Sequence, residues 1–162
     1  MIDIRRLRVD DDLGDLIALS HAFSREYEAH HEAFFEIDEL RDTDVAAYFH
    51  GMLTRDDAAA FVAVDGERMV GYITAYVREQ PPYWRVKRVG DISGLMVHPD
   101  YRRRGVGGAL LRAATAFFRE CGAGYYTVYT AIANEAAIRC YKRHGMTPLH
   151  TTLLGRTGLN EG

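Results

Sequence analysis

Apolar and polar positions alternate loosely from Ile2 to Val9, which predicts a short first or edge strand. Asp10, Asp11 and Asp12 follow, acidic residues suited to cap a helix and to complement its dipole. Leu13, Leu16, Ile17, Leu19 and Phe23 then recur at helical spacing, predicting a helix from about Leu13 to His30 that turns polar over Ser24 to His31. A second helix is predicted near Asp44 to Leu53; the segment between, with His30, His31, Phe34 and Phe35, has weak periodicity. Ala59 to Val64 and Met69 to Arg78 read as two strands joined at Asp65-Gly66-Glu67, where Gly supplies the positive φ of a tight hairpin. The linker Glu79 to Arg88, with Pro81, Pro82, Tyr83 and Trp84, interrupts the sheet before a strand from Val89 to Val97. Val106 to Glu120 places Val106, Leu110, Ala113 and Phe117 on one helical face and stops at Gly122 and Gly124. Tyr125 to Ile132 is the next strand, and Asn134 caps a helix running to about His144 and ending at Gly145. Met146 to Gly155 is expected to return as one or two final strands.

This order predicts an α/β chain with a mixed sheet and helices on both faces. The 162 residues fit one domain, residues 1–162, able to bury roughly 70% of the unfolded surface. A composition of 48% hydrophobic and 27% charged residues is that of a globular protein rather than a disordered or fibrous one. The formal charge of -3 argues against nucleic-acid binding through bulk positive charge, although Arg85, Lys87, Arg88 and Arg102 to Arg104 concentrate basicity locally. Cys121 and Cys140 lack metal-site spacing and are expected to be buried free thiols, with no metal centre. Without an apolar run of about eighteen residues or a leader pattern, no membrane partner is expected and a cytoplasmic location is the default.

The chemistry concentrates at Leu95 to Ala109, LMVHPDYRRRGVGGA, where a strand passes through a Pro turn and an arginine cluster into a glycine-rich helix start. Main-chain N–H groups at a helix N-terminus lack intrahelical partners and carry partial positive charge, so this junction is an anion seat. A phosphate-bearing cofactor follows. A dinucleotide fingerprint would need a third glycine where Leu110 stands, and a Walker A loop would need a Gly-Lys pair, which the chain lacks. What remains is Arg102-x-x-Gly105-x-Gly107 followed by a helix.

That pattern resembles the pyrophosphate-binding motif of the GNAT superfamily of acetyl-CoA-dependent N-acetyltransferases, Gln/Arg-x-x-Gly-x-Gly/Ala. Leu95-Met96-Val97-His98-Pro99 is similar to the strand ending that precedes the family's loop. Asn134, Ala137, Tyr141 and Gly145 match its later Asn-x-x-Ala-x-x-x-Tyr-x-x-x-Gly-Phe signature, with Met146 in place of the aromatic residue. The resemblance is good from Asp91 to about Leu154 and holds only in outline before that. It implies the GNAT fold, a central, mostly antiparallel sheet whose strands near Asp91 to Val97 and Tyr125 to Ile132 splay apart to admit the pantetheine arm.

On that resemblance the pyrophosphate of acetyl-CoA would lie on the N–H groups from Arg103 to Ala109, including Val106, with Gly105, Gly107 and Gly108 allowing close approach. Arg102, Arg103 and Arg104 would supply charge beside it, and the main chain of Leu95, Met96 and Val97 would pair with the pantetheine amides. Asn134 and Ala137 are implied cofactor contacts. Tyr141, protonated at neutral pH, is implied as the acid that protonates the departing thiolate. Many relatives carry Glu where this chain has Ser93 and Gly94, so the base is expected to be Asp91, or Glu79, acting through water. His30, His31, Glu28, Tyr27 and Phe34 fall where the family's substrate-side helices lie. The expected reaction is direct acetyl transfer to a small-molecule or peptide amine by a monomer or homodimer. A protein lysine or N-terminal acetyltransferase, another acyl-CoA transferase of the same fold, and a non-catalytic acyl-CoA sensor are the alternatives.

Overall fold

The computed structural model describes residues 1–31 and 33–159. Five strands form one sheet in the order β1 (Ile2–Arg6), β2 (Ala58–Asp65), β3 (Arg68–Glu79), β4 (Arg88–Val97) and β5 (Tyr125–Val128). The first four pair antiparallel and β5 joins β4 in parallel, the mixed, mostly antiparallel sheet expected. Helices α1 (Gly14–Glu28) and α2 (Asp42–Leu53) pack on one face and α3 (Val106–Glu120) on the other. Helix α4 (Glu135–Arg143) adds Tyr141 to the α3-side core.

Because both faces are covered, β3 is buried almost continuously from Met69 to Ala75. Val70, Ile73 and Ala75 meet Leu110, Leu111 and Phe117 on the α3 side. Tyr72 belongs to the opposite cluster with Leu16, Leu19 and Phe49. Asp65 pairs with Arg68 across the turn, and Gly66 takes φ +62, the left-handed conformation foreseen there. The acidic run before α1 divides its work. Asp12 Oδ1 accepts the Gly14 N–H at 2.8 Å, while Asp11 takes the Arg5 guanidinium at 2.8 and 2.9 Å and the Arg8 N–H at 2.7 Å. The Arg5 hydrogen bond holds the Asp11 carboxyl below the usual carboxylate range.

Four expectations are corrected. Strand β1 ends at Arg6 rather than Val9: beyond the Arg6–Phe61 pair, Leu7 N–H still donates to Ala60 O at 2.9 Å, and Arg8 and Val9 have no β2 partner among the described residues. Strand β5 ends at Val128 rather than Ile132, because β4 turns away: Thr74 pairs with Gly94 and Ala75 with Ile92, so Ser93 is an extra residue, a β-bulge that bends the strand. Met146 to Gly155 forms no strand. Pro148 has no N–H for a ladder, β5 offers a four-residue edge, and residues 147–159 are exposed, touching the sheet end through Tyr129 Oη and Thr152 Oγ1 at 3.3 Å. Finally, Cys121 and Cys140 are free but half-buried rather than buried.

Candidate functional site

Pairing between β4 and β5 stops at Ile92 and Val128, although β4 runs on to Val97. A narrow cleft opens where they part, floored by Ile92 to Leu95 on one side and Val128 to Thr130 on the other. Phe23 and Tyr27 of α1 line it from one face of the sheet; Asn134, Ala137 and Tyr141 line it from α4. The cleft therefore passes through the sheet. His98 N–H donates to Val70 O at 2.8 Å, so by strand alternation Met96 points its main-chain groups toward β3, and Leu95 and Val97 point theirs toward the open edge. Val97 O is taken there by Arg102 Nε at 2.9 Å.

Helix α3 begins beside this edge. Arg103 has φ +64 and Gly105 φ +79, two left-handed residues flanking Arg104, the alternation that turns successive N–H groups into a concave anion nest. Among the described residues the N–H groups of Arg103, Arg104, Gly105, Val106, Gly107 and Gly108 find no hydrogen-bond acceptor, and α3 has no side-chain cap. Ala109 differs from expectation: its N–H closes the first helical bond to Gly105 O at 3.0 Å, so the free row ends at Gly108. The glycines also differ among themselves. A Cβ on Gly105 would meet nothing within 4 Å, and one on Gly107 only Val97 Cγ2 at 3.9 Å, so the space over these amides is open. A Cβ on Gly108 would lie 2.6 Å from His144 Nε2, making this glycine a packing contact to the end of α4.

The three arginines part company. Arg102 reaches Glu26 of α1 at 2.8 and 3.1 Å and Val97 O, tying α1 to β4. Arg104 lies 5.3 Å over the Tyr101 ring, and Arg103, in the left-handed conformation, is exposed. A left-handed arginine costs about 1–2 kcal/mol, strain of the kind held at ligand clamps.

Tyr141 is 8% exposed and lines the cleft, and its hydroxyl makes no hydrogen bond among the described residues. Burial pushes the phenol well above its ordinary value, so it stays protonated and able to donate. Asn134 Oδ1 accepts the Ala137 N–H at 3.3 Å, the expected helix cap, and both residues border the cleft.

Asp91 is half-buried in β4, opposite Tyr76 and Thr127, with Arg78 Nε 3.7 Å from its Oδ2. Burial raises its carboxyl, partly opposed by Arg78, Tyr76 and Thr127. It does not line the cleft; Ser93, two residues on, does. Glu79 is bound to Arg88 at 2.8 Å, near the start of β4 and away from the bulge.

Three hydroxyls meet at that bulge. Tyr48 Oη lies 2.6 Å from Ser93 Oγ and 2.9 Å from Thr74 Oγ1, and Ser93 donates to Thr74 at 2.8 Å. Thr74 is completely buried. Sequence reasoning singled out neither Tyr48 nor Thr74 beside the cleft and gave Phe23 only as an apolar position of the first helix; a lone Thr within the apolar run Gly71 to Val77 was the available signal for Thr74.

The sheet splits at a bulge, two left-handed residues at one end of the gap set a row of unpaired main-chain N–H groups in the geometry of an anion nest, and Tyr141, its phenol kept protonated by burial, lines the gap. The chain belongs to the Acetyltransferase (GNAT) family, whose sequence model matches residues 18–146. It is 30% identical over 145 residues to a mycothiol acetyltransferase of Propionibacterium freudenreichii, covering 88% of this chain but 42% of that protein, so it spans less than half of that relative. It is 30% identical over 141 residues to an uncharacterized N-acetyltransferase of Archaeoglobus fulgidus, covering 86% of this chain and 89% of that protein. Its fold matches AAC(6')-Iy, solved with the bisubstrate analog CoA-S-monomethyl-acetylneamine, with a TM-score of 0.75 at 19% identity over 98% of this chain and 99% of that one.

Proposed function

We propose that this chain moves an acetyl group from acetyl-CoA to a primary amine by direct attack within a ternary complex. The observation that carries the reading is the unpaired row of main-chain N–H groups from Arg103 to Gly108, opening beside the cleft that Tyr141 lines. The residues fit the group: open space over Gly105 and Gly107 leaves a pyrophosphate room to approach those amides, and the unpaired N–H groups are the donors it needs. Leu95, and Val97 through its N–H, would offer main-chain groups to the pantetheine amides as an added strand does, and Asn134 and Ala137 border the same cleft. Acetyl-CoA supplies the activated acyl group.

The chain's own residues handle protons. Tyr141 donates to the departing sulfur, for which it must be protonated, as its burial ensures. An amine with an ordinary pKa of about 10 arrives charged and must lose a proton before it attacks. Asp91 takes that proton through water, alongside the Ser93 hydroxyl that stands between it and the cleft along β4. Thiol release from acetyl-CoA, measured with and without an amine panel, tests the reading. Amine-dependent release that is lost in Tyr141→Phe supports it; CoA binding with no amine acetylated makes the chain a sensor instead.

A further inference from the structure

The described residues on the α1 side of the cleft are aromatic, and the His30 ring stands edge-on to Tyr27 with centroids 5.8 Å apart. Phe23 and Tyr27 stack there with ring centroids 5.8 Å apart and planes 16° from parallel, and Tyr129 lines the same space. The aromatic surface continues outward. Phe35 lies 4.6 Å from Tyr27, and Phe34, 64% exposed, lies 5.4 Å from Phe35. Among the described residues no Asp, Glu, Lys or Arg lines the cleft. Of the α1 carboxylates flanking Tyr27, Glu26 is held by Arg102 and Glu28 lies outside the lining. Burial raises the Tyr27 phenol, so this ring too stays neutral.

Such a wall discriminates by charge number and by shape. An acceptor with several ammonium groups would strip water from cations that find no carboxylate partner among the described residues lining the cleft. Stacked rings hold a flat apolar group face to face or edge to face, and they tolerate one cation over a ring face. We infer that the acceptor is a monoamine carrying an aromatic or similarly flat apolar group, with Tyr27 as the residue that selects it. This inference rests on the acetyl-transfer reading and narrows its acceptor.

The test compares kcat/KM for 2-phenylethylamine, n-butylamine and spermidine at saturating acetyl-CoA, with CoA binding measured separately by calorimetry. The inference expects 2-phenylethylamine to exceed both others by at least tenfold. Tyr27→Leu raises the KM for 2-phenylethylamine at least fivefold and leaves that for n-butylamine within twofold, while Tyr27→Phe, which keeps the ring, restores the preference. Phe34→Ala, at an exposed position where folding is not at stake, lowers the same preference two- to threefold. Equal rates for the three amines, or a preference for spermidine, overturn the inference while the acetyl-transfer reading stands. No CoA uptake by folded protein overturns both.

Discussion

Gly107→Val separates folding from ligand binding at a single atom. Gly107 lies in the first turn of α3, and a Cβ there meets only Val97 Cγ2 at 3.9 Å, an ordinary contact. Valine is a better helix former than glycine by about 0.4 kcal/mol, so the substitution leaves the fold unharmed or raises Tm by roughly 1–2 °C. The same side chain projects into the space over the unpaired amides, where it holds a pyrophosphate away. Each charge-assisted N–H to phosphate bond is worth about 1.5–3 kcal/mol. Losing or lengthening two of them costs about 3 kcal/mol, which raises the Kd for CoA roughly a hundredfold. Calorimetric titration of CoA gives the Kd, and thermal unfolding with and without CoA gives both the intrinsic Tm and the ligand-dependent gain, which shrinks in the variant. An unchanged Kd, within twofold, refutes the placement of the diphosphate; a Tm lowered by several degrees refutes the claim that the site is open.

Tyr141→Phe keeps the ring in the core and removes a hydroxyl with no hydrogen-bond partner among the described residues, so Tm and CoA affinity stay close to those of the parent while kcat falls about 10²- to 10³-fold. Differential scanning and steady-state kinetics check both halves. Arg102→Ala breaks the link from α1 to β4 and lowers stability by about 1 kcal/mol or less, with CoA affinity within threefold; Glu26→Gln reproduces the effect if Arg102 is a structural tie, and fails to if the guanidinium grips phosphate instead. Asp91, with its folded carboxyl raised by burial, contributes stability that is present below its unfolded pKa and lost as pH rises through the folded value. Asp91→Asn therefore raises Tm at pH 7 relative to the parent, the gap closes near pH 3, and the acidic limb of kcat against pH disappears; Tm and rate profiles across pH 3–8 measure both.

Local signals gave the reading its strong points. Gly66 supplied a positive φ between two strand patterns, Asn134 capped α4, and the glycine-rich start of α3 marked the anion nest, all properties of a few neighbouring residues. What stayed hidden depends on partners distant in sequence. The Ser93 bulge is visible only in the register with β3, and it ends β5 early and opens the cleft. The contact of Arg102 with Glu26, 76 residues away, leaves no trace in the motif around it. Gly107 and Gly108 look alike in the motif, yet His144 faces only the second. The contact of Tyr48 with Ser93 and Thr74 joins three elements and has no pattern of its own.

The most direct measurement is calorimetric titration of the folded protein with CoA and, in parallel, with pantetheine, which lacks the diphosphate. The account predicts one CoA per chain and pantetheine binding weaker by at least a hundredfold, because the amides from Arg103 to Gly108 hold the diphosphate. No heat of binding at millimolar CoA, or equal affinity for the two ligands, would contradict it.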